Sequence, residues 1–348
     1  MPLADATQTQ HSPQGGSSPT RTGAPVGSVR VVAPARLHLG FLDLNGSLGR
    51  RFGSLGLAID KPASEIVLSR ARAFAANGPD ADRALMILRR YASVLHSDGA
   101  FQLDVRKAIP PHAGLGSGTQ LALAIGTALS VIDGVDGSAH GLGELAERGA
   151  RSAIGMGAFE TGGFIVDGGR GDADNAPPIL IRAKFPEAWR ALLIFDPRTA
   201  GVHGTAETEA FAALPPLAEE LCGRISRLVL MQLVPGIIDG DIDAFGAAVT
   251  EIQAIIGGHF AAAQGGGPWA SPAVGRIAQM LKESGALGIG QSSWGPTGFA
   301  FTPSQENAEA LYDFSIGAAR AEGLDILIVK GRNRGALVER MTGPVGKE

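Results

Sequence analysis

Cysteine occurs once in 348 residues, at Cys222. That excludes an internal disulfide and any zinc site built on a cysteine cluster, and it suits a reducing compartment, so a cytoplasmic protein is expected. The seven histidines show neither a His-Glu-x-x-His run nor paired ligand spacing, so no transition metal held by the protein alone is expected. Dense basic runs are missing too. With 30 Lys and Arg against 34 Asp and Glu, the net charge is −4, which argues against nucleic acid as a partner. The longest apolar runs, 121–132 and 228–238, are too short or too interrupted to cross a bilayer. The opening residues hold no apolar h-region, so neither a signal peptide nor a membrane partner is expected.

Glycine is abundant: 50 residues, about twice the usual share. They follow no Gly-X-Y period and mark many tight turns. At 45% hydrophobic and 18% charged, the chain has the length and apolar content for two domains. Residues 1–28 are Gln, Ser, Thr, Pro and Gly with few large apolar side chains, and read as a disordered tail. Two β-rich runs follow in VRVVAPARLHLGFLDLNG, with Pro34 between them and Asn45-Gly46 as a turn. The spacing of Leu85, Leu88, Tyr91 and Leu95 predicts a helix over 80–96. A polar stretch at 169–178 precedes a domain boundary near 185, giving domains over 29–185 and 186–348. The second half reads as a strand, three helical patterns and a closing strand–helix–strand, an α+β arrangement.

The chain is organised around 109–130, IPPHAGLGSGTQLALAIGTALS. Pro110 and Pro111 force extended backbone, and Gly114, Gly116 and Gly118 permit positive φ and close approach of a ligand. From Thr119 onward almost no polar face remains, so the helix is expected to be buried. A buried helix opening from bare glycines presents unpaired N–H groups and the positive end of its dipole, an anion site best suited to phosphate. The alternative is a turn that only caps a core helix. No Gly-Lys-Ser/Thr follows, so this is not a Walker A loop.

Three further clusters carry chemistry. Arg36, His38 and Asp43, with Arg50 and Arg51 just beyond, suit a phosphorylated sugar or, alternatively, a salt-bridged edge strand. Glu160 lies in the glycine-rich GMGAFETGG, and its carboxylate reads as a shifted base, a metal ligand or a cap. Gln291, Ser292 and Ser293 offer neutral hydrogen bonds beside the flat face of Trp294, a combination suited to an aromatic or sugar ring. Asp239-Gly-Asp-Ile-Asp243 lacks the glycine and terminal Glu of a calcium loop, and Asp241 reads as a helix N-cap.

PPHAGLGSGTQ resembles the second motif of the GHMP kinase superfamily, P-x-x-x-G-L-G-S-S-A, which wraps nucleotide phosphates. It departs at Gly118, Thr119 and Gln120, where the kinases carry a second Ser and small residues. Together with PARLHLGFLDLNG, GAFETGGFIVDGG and GQSSWGPTG, in that order over 29–335, it is similar to the β-ribofuranosylaminobenzene 5′-phosphate synthase branch of that superfamily. The resemblance implies a two-domain GHMP kinase fold with the phosphate loop in its N-terminal domain, a ferredoxin-like C-terminal domain and a homodimer. It implies the joining of 5-phosphoribosyl diphosphate to 4-aminobenzoate, with loss of CO2 and diphosphate, on the way to methanopterin. On that reading His112, Gly114, Leu115, Gly116, Ser117, Gly118, Thr119 and Gln120 hold the diphosphate. Mg2+ assists as cofactor, with Thr119 and Glu160 as candidate ligands. Asp43, then Glu160, faces the positive charge developing on the sugar, while Arg36, Arg50 or Arg51 takes the 5′-phosphate or the benzoate carboxylate. His38, Gln291, Ser292, Ser293 and Trp294 complete the substrate site. Because Glu160 sits near the place of the catalytic Asp of sugar kinases, an ATP-dependent small-molecule kinase is the second reading. A non-catalytic binder of a phosphorylated metabolite is the third.

Overall fold

The computed structural model describes residues 27–135, 137–145, 152–171, 176–199, 201 and 204–341. Of the tail expected over 1–28, residues 1–26 lie outside the described residues, and Ser28 already opens the first strand. Strands β1 (Ser28–Asp43) and β2 (Phe52–Ala71) form a long antiparallel ribbon, with register from Ser28↔Ser69 to Asp43↔Phe52. The two runs expected around Pro34 are one strand. Pro34 stands at a register shift in the ladder, where a missing N–H is tolerated.

The first half continues with β3 (Ala75–Asn77), α1 (Ala81–Val94), β4 (Ala100–Lys107), α2 (Ser117–Asp133), α3 (Ala139–Leu145), α4 (Ile154–Glu160), β5 (Phe164–Asp167) and β6 (Ile179–Ala183). The second half adds β7 (Arg190–Phe195), α5 (Gly204–Ala213), α6 (Glu219–Leu228), α7 (Val234–Asp239), α8 (Ile242–Phe260), α9 (Pro272–Glu283), β8 (Leu287–Gln291), β9 (Gly298–Thr302), α10 (Gln305–Ala321), β10 (Asp325–Lys330) and β11 (Leu337–Met341). One sheet runs β11-β1-β2-β4-β3, with β5 on β2 and β6 on β5; the other runs β10-β7-β9-β8. The architecture is the expected α+β, and β11 returns the chain to β1.

The β1–β2 ribbon serves two cores. Val29, Val31, Ile66 and Leu68 pack with Leu88, Tyr91, Leu121 and Ile125 of α1 and α2. Beyond the shift at Pro34, Leu37, Leu39, Leu55 and Leu57 join Phe245, Ile252 and Phe299 of the second half. Arg36 lies where one core gives way to the other. In β7, Ala191 and Leu193 enter that second core while Leu192 and Ile194 face Val274, Ile277 and Leu311 under α9 and α10. Both faces of that sheet are therefore covered, as its continuous apolar strands require. Asp241 caps α8 as expected, accepting from the Ala244 N–H at 3.0 Å.

The stretch Glu219–Asp239 is long and apolar enough, by length and composition alone, to cross a membrane. Cys222, Ile225, Leu228, Leu233 and Ile237 nevertheless belong to the second core, so it is a helix of this fold.

Asp167 fixes the start of α4 beneath the ribbon. Its carboxylate accepts N–H bonds from Ser54 and Gly169 at 3.0 Å and from Ala153 at 2.8 Å. Burial pushes its pKa up against these bonds. Asp167→Ala leaves three buried donors without an acceptor and is expected to cost about 3 kcal/mol. The check is a fall in the urea midpoint at unchanged m; an unchanged midpoint contradicts it.

Candidate active site

The loop between β4 and α2 passes through positive φ at His112 (55°), Gly114 (76°) and Gly116 (81°). Glycine is required at 114 for a second reason: a Cβ there would lie 2.2 Å from the Ser292 carbonyl oxygen. Hydrogen bonds tie the loop to both halves of the molecule. The Arg36 N–H donates to the Leu115 carbonyl at 3.2 Å, and Arg36 Nη1 donates to the Gly114 carbonyl. Ser292 Oγ donates to the same carbonyl at 2.7 Å while accepting the His38 N–H at 3.0 Å. The Gly201 N–H donates to the His112 carbonyl at 2.9 Å. Three sequence clusters, Arg36–His38, the glycine loop and 291–295, thus meet at one place.

Gly116 is the N-cap of α2 and supplies no capping side chain. Among the described residues, the N–H groups of Ser117, Gly118 and Thr119 have no protein acceptor. Helix α2 is otherwise buried from Gln120 onward, and Gln120 Nε2 donates to the Gly155 carbonyl at 2.8 Å, anchoring the helix to α4. Its open amides and positive dipole end are therefore held rigidly in place.

These amides face an open cleft of about 560 Å3 whose walls include Arg36, Asp80, Arg83, His112, Thr119 and Ser293. Asp80 and Arg83, at the start of α1, are absent from the sequence-based site. Helix packing brings them in. The Tyr91 ring packs against Gly126, where a Cβ would approach it to 2.9 Å. Tyr91 lies ten residues into α1 and Gly126 nine residues into α2, about 15 and 14 Å from the two starts at the α-helical rise. The two helices pack side by side, and the cleft that both starts line puts their N-termini at the same end. The i,i+3 pair behind Gly78-Pro79 marks a helix start, but no local pattern says which loop that start meets.

Other expected site residues lie elsewhere. His38 is buried; burial first, and then the Arg36 charge, lower its pKa to about 3, so the ring is neutral at physiological pH. It lines a second, much smaller cavity of about 10 Å3, room for one water, with Phe41, Gln253, Gln264 and Gln291. Arg36 and His38 therefore line different cavities. Leu115 is a core residue. Trp294 contributes to the cleft wall, but its ring stacks on Phe260 at 4.3 Å and meets Phe211 edge-on at 5.1 Å. The expected open face is covered, because the apolar ring gains more from burial in the core than from water.

Asp43 lies roughly 20 Å along β1 from Arg36 at the usual strand rise, and its Oδ1 accepts the N–H groups of Asn45 and Gly46 at 2.7 Å. Arg50 donates to the carbonyls of Gly168 and Gly169, and Arg51 pairs its backbone with Arg170. Glu160 is exposed at the end of α4 and pairs with Arg182 at 3.3 Å. None of these four is among the residues lining the loop cleft. Among the described residues, no group of three or more His, Cys, Asp or Glu side chains is placed to hold a metal ion.

Two family models match the chain, GHMP kinases N terminal domain over 81–163 and GHMP kinases C terminal over 233–314. The curated β-ribofuranosylphenol 5′-phosphate synthase of Methanothermobacter thermautotrophicus is 32% identical over 88% of this chain and 98% of the relative. The protein of the same name from Archaeoglobus fulgidus is 30% identical over 89% and 99%. The chain belongs to the β-ribofuranosylphenol 5′-phosphate synthase family. Solved structures place this family on the GHMP kinase fold. A homoserine kinase from Cytophaga hutchinsonii has a TM-score of 0.64 at 19% identity, covering 92% of this chain and 100% of that one. The mevalonate diphosphate decarboxylase from Enterococcus faecalis has a TM-score of 0.63 at 14% identity, with coverages of 91% and 100%. Like its relatives, the chain is an enzyme.

The depressed pKa of His38 fixes a sign. Its folded value lies below the unfolded one, so its stability contribution is complete above pH 6.5 and is lost as pH falls toward 3. Acidification from pH 6.5 is expected to cost up to about 1.4 kcal/mol per pH unit through this group. Denaturant titrations of the wild type and His38→Gln check this; an equal slope in both removes His38 as the cause.

Proposed function

We propose that the enzyme transfers the ribosyl 5-phosphate of 5-phosphoribosyl diphosphate to the carboxyl-bearing ring carbon of a benzoate with a para electron donor. The substituent is amino in the sequence-based reading, and the relatives' name, a ribosylphenol, favours hydroxyl. The observation that carries this reading is the first turn of α2, with its three amides open to the cleft beside Arg36 and Arg83.

The C1–O bond of the donor breaks and its electron pair leaves with diphosphate. Fixed N–H donors at a helix N-terminus stabilise that growing charge without reorganising. The sugar becomes oxocarbenium-like, and the ring carbon forms the new bond to C1. Loss of CO2 returns the C–CO2 electrons to the ring and restores aromaticity. No base has to remove a ring proton, because the electrons that restore aromaticity come from the bond to CO2. Asp43, expected to face the charge developing on the sugar, lies roughly 20 Å along β1 from Arg36, and Glu160 lies outside the cleft, so neither reaches a C1 whose diphosphate sits on the α2 amides. Arg50 and Arg51, beside Asp43, are equally far from that C1 and the groups attached to it.

Mg2+ fits the donor set as a diphosphate-borne ion. The cleft offers hard oxygen donors, the Thr119 hydroxyl and the Asp80 carboxylate, which suit a cation held mainly by phosphate oxygens. When bound, it would neutralise charge on the leaving group. The buried, unpaired Cys222 suits a cytoplasmic enzyme, and we expect a homodimer.

The test is incubation with 5-phosphoribosyl diphosphate and carboxyl-labelled 4-hydroxybenzoate or 4-aminobenzoate. Labelled CO2 and diphosphate are expected together; ATP consumption without CO2 points to a kinase, and no turnover to a binder. With the diphosphate on the α2 amides, a folded Asp43→Asn is expected to keep near-normal turnover, and a hundredfold loss with substrate binding retained contradicts that placement. Gly116→Val puts side-chain atoms against the Arg36 guanidinium, 3.3 Å from its Cβ, at a φ of 81°. Calorimetry should show diphosphate affinity falling in a variant that remains folded; unchanged affinity contradicts the loop assignment.

A further inference from the structure

We propose that Arg83 is the second jaw of the diphosphate clamp, closing on the leaving group from the start of α1, opposite the open amides of α2. The assignment rests on the proposed phosphoribosyl transfer. Three neutral amides do not balance a diphosphate, which carries several negative charges, so a cation in the same cleft is needed.

Among the described residues, two arginines line that cleft, Arg36 and Arg83. Arg36 is committed to the loop, donating through its backbone to Leu115 and through Nη1 to the Gly114 carbonyl. Arg83 is held differently. Its one hydrogen bond runs from Nη1 to Asp80 Oδ2 at 3.4 Å, beyond the usual range. Nε and Nη2 find no acceptor among the described residues, and the side chain is 26% exposed toward the cleft. A guanidinium presents donors in a fixed fork that matches phosphate oxygens.

Asp80 is arranged to aim this fork. It occupies the N-cap position of α1, where an aspartate normally accepts a helix N–H. Here its φ is 61° and its side chain makes no capping bond. The carboxylate turns to Arg83 instead, so the helix forgoes a cap and the cleft gains a positioned cation. Because both helix starts line that cleft, the fork and the open amides stand at the same end of two parallel helices. Asp80 is a positioning residue in this arrangement, and Arg83 touches the leaving group.

Calorimetry with inorganic diphosphate, with and without Mg2+, and with ribose 5-phosphate as a second probe, tests the clamp on the full chain. Arg83→Ala is expected to weaken diphosphate at least tenfold, to leave ribose 5-phosphate unchanged and to lower kcat, because the contact strengthens as the leaving group charges. Arg83→Lys should recover part of the affinity, the charge without the fork. Thermal melting checks that both variants fold. Diphosphate affinity at the wild-type level in Arg83→Ala overturns the proposal, as does an equal loss for ribose 5-phosphate. Labelled CO2 release by the wild type separates the two levels. If CO2 is released while Arg83→Ala binds diphosphate normally, only the Arg83 assignment falls. If diphosphate binding depends on Arg83 and no CO2 appears, the clamp stands and the transfer reading falls.

Discussion

The Gly114 carbonyl oxygen is the point on which the site depends. It accepts from the Arg36 guanidinium of the β1 strand and from the Ser292 hydroxyl of the loop between β8 and β9. A carbonyl has two lone pairs, and here both are used by groups from opposite halves of the chain. The contact is too close for any side chain at 114, so glycine is fixed there by space as well as by φ. With that carbonyl turned into the protein, the amides that follow in α2 are left facing the cleft. Directing one peptide inward leaves its neighbours' donors pointing outward.

Rigidity around that point comes from burial. Helix α2 lies in an apolar core, Gln120 pins it to α4, and Asp167 pins α4 to the ribbon. On the far side, Asp196 links β7 to the N-cap Ser271 of α9 at 2.7 Å. Burial pushes the Asp196 carboxyl up, but bonds from Arg198 and Ser271 outweigh it and bring it to about 2. That charge therefore persists across the physiological range. The same turn leads to Gly201, which braces His112. The open amides are thus fixed in place by the protein alone, the condition under which dipoles would stabilise a growing charge.

Much of this was legible in the sequence because it is local. The glycine spacing and the apolar run after Thr119 identified a bare helix start, and Asp241 announced itself as a cap. The four motif stretches identified the fold and family, since each carries its chemistry within about a dozen residues. What was not legible depends on register and packing. Pro34 read as a break, but a bulge absorbs it. Arg36 and His38 read as one cluster, but they line separate cavities. Arg83 entered the site only because Tyr91 and Gly126 pack α1 beside α2, a contact between residues 35 apart with no sequence signature. Trp294 looked available for a ligand, and Phe260 covers it.

The account turns on where the diphosphate makes contact, and amide NMR of the labelled protein reads that directly. Titration with magnesium diphosphate should shift the N–H resonances of Ser117, Gly118 and Thr119 first and most, with slowed solvent exchange at the same three. If they stay in place while the resonances that move belong to the turn around Arg50 and Arg51, the leaving group binds at the other end of β1. The central claim is then wrong.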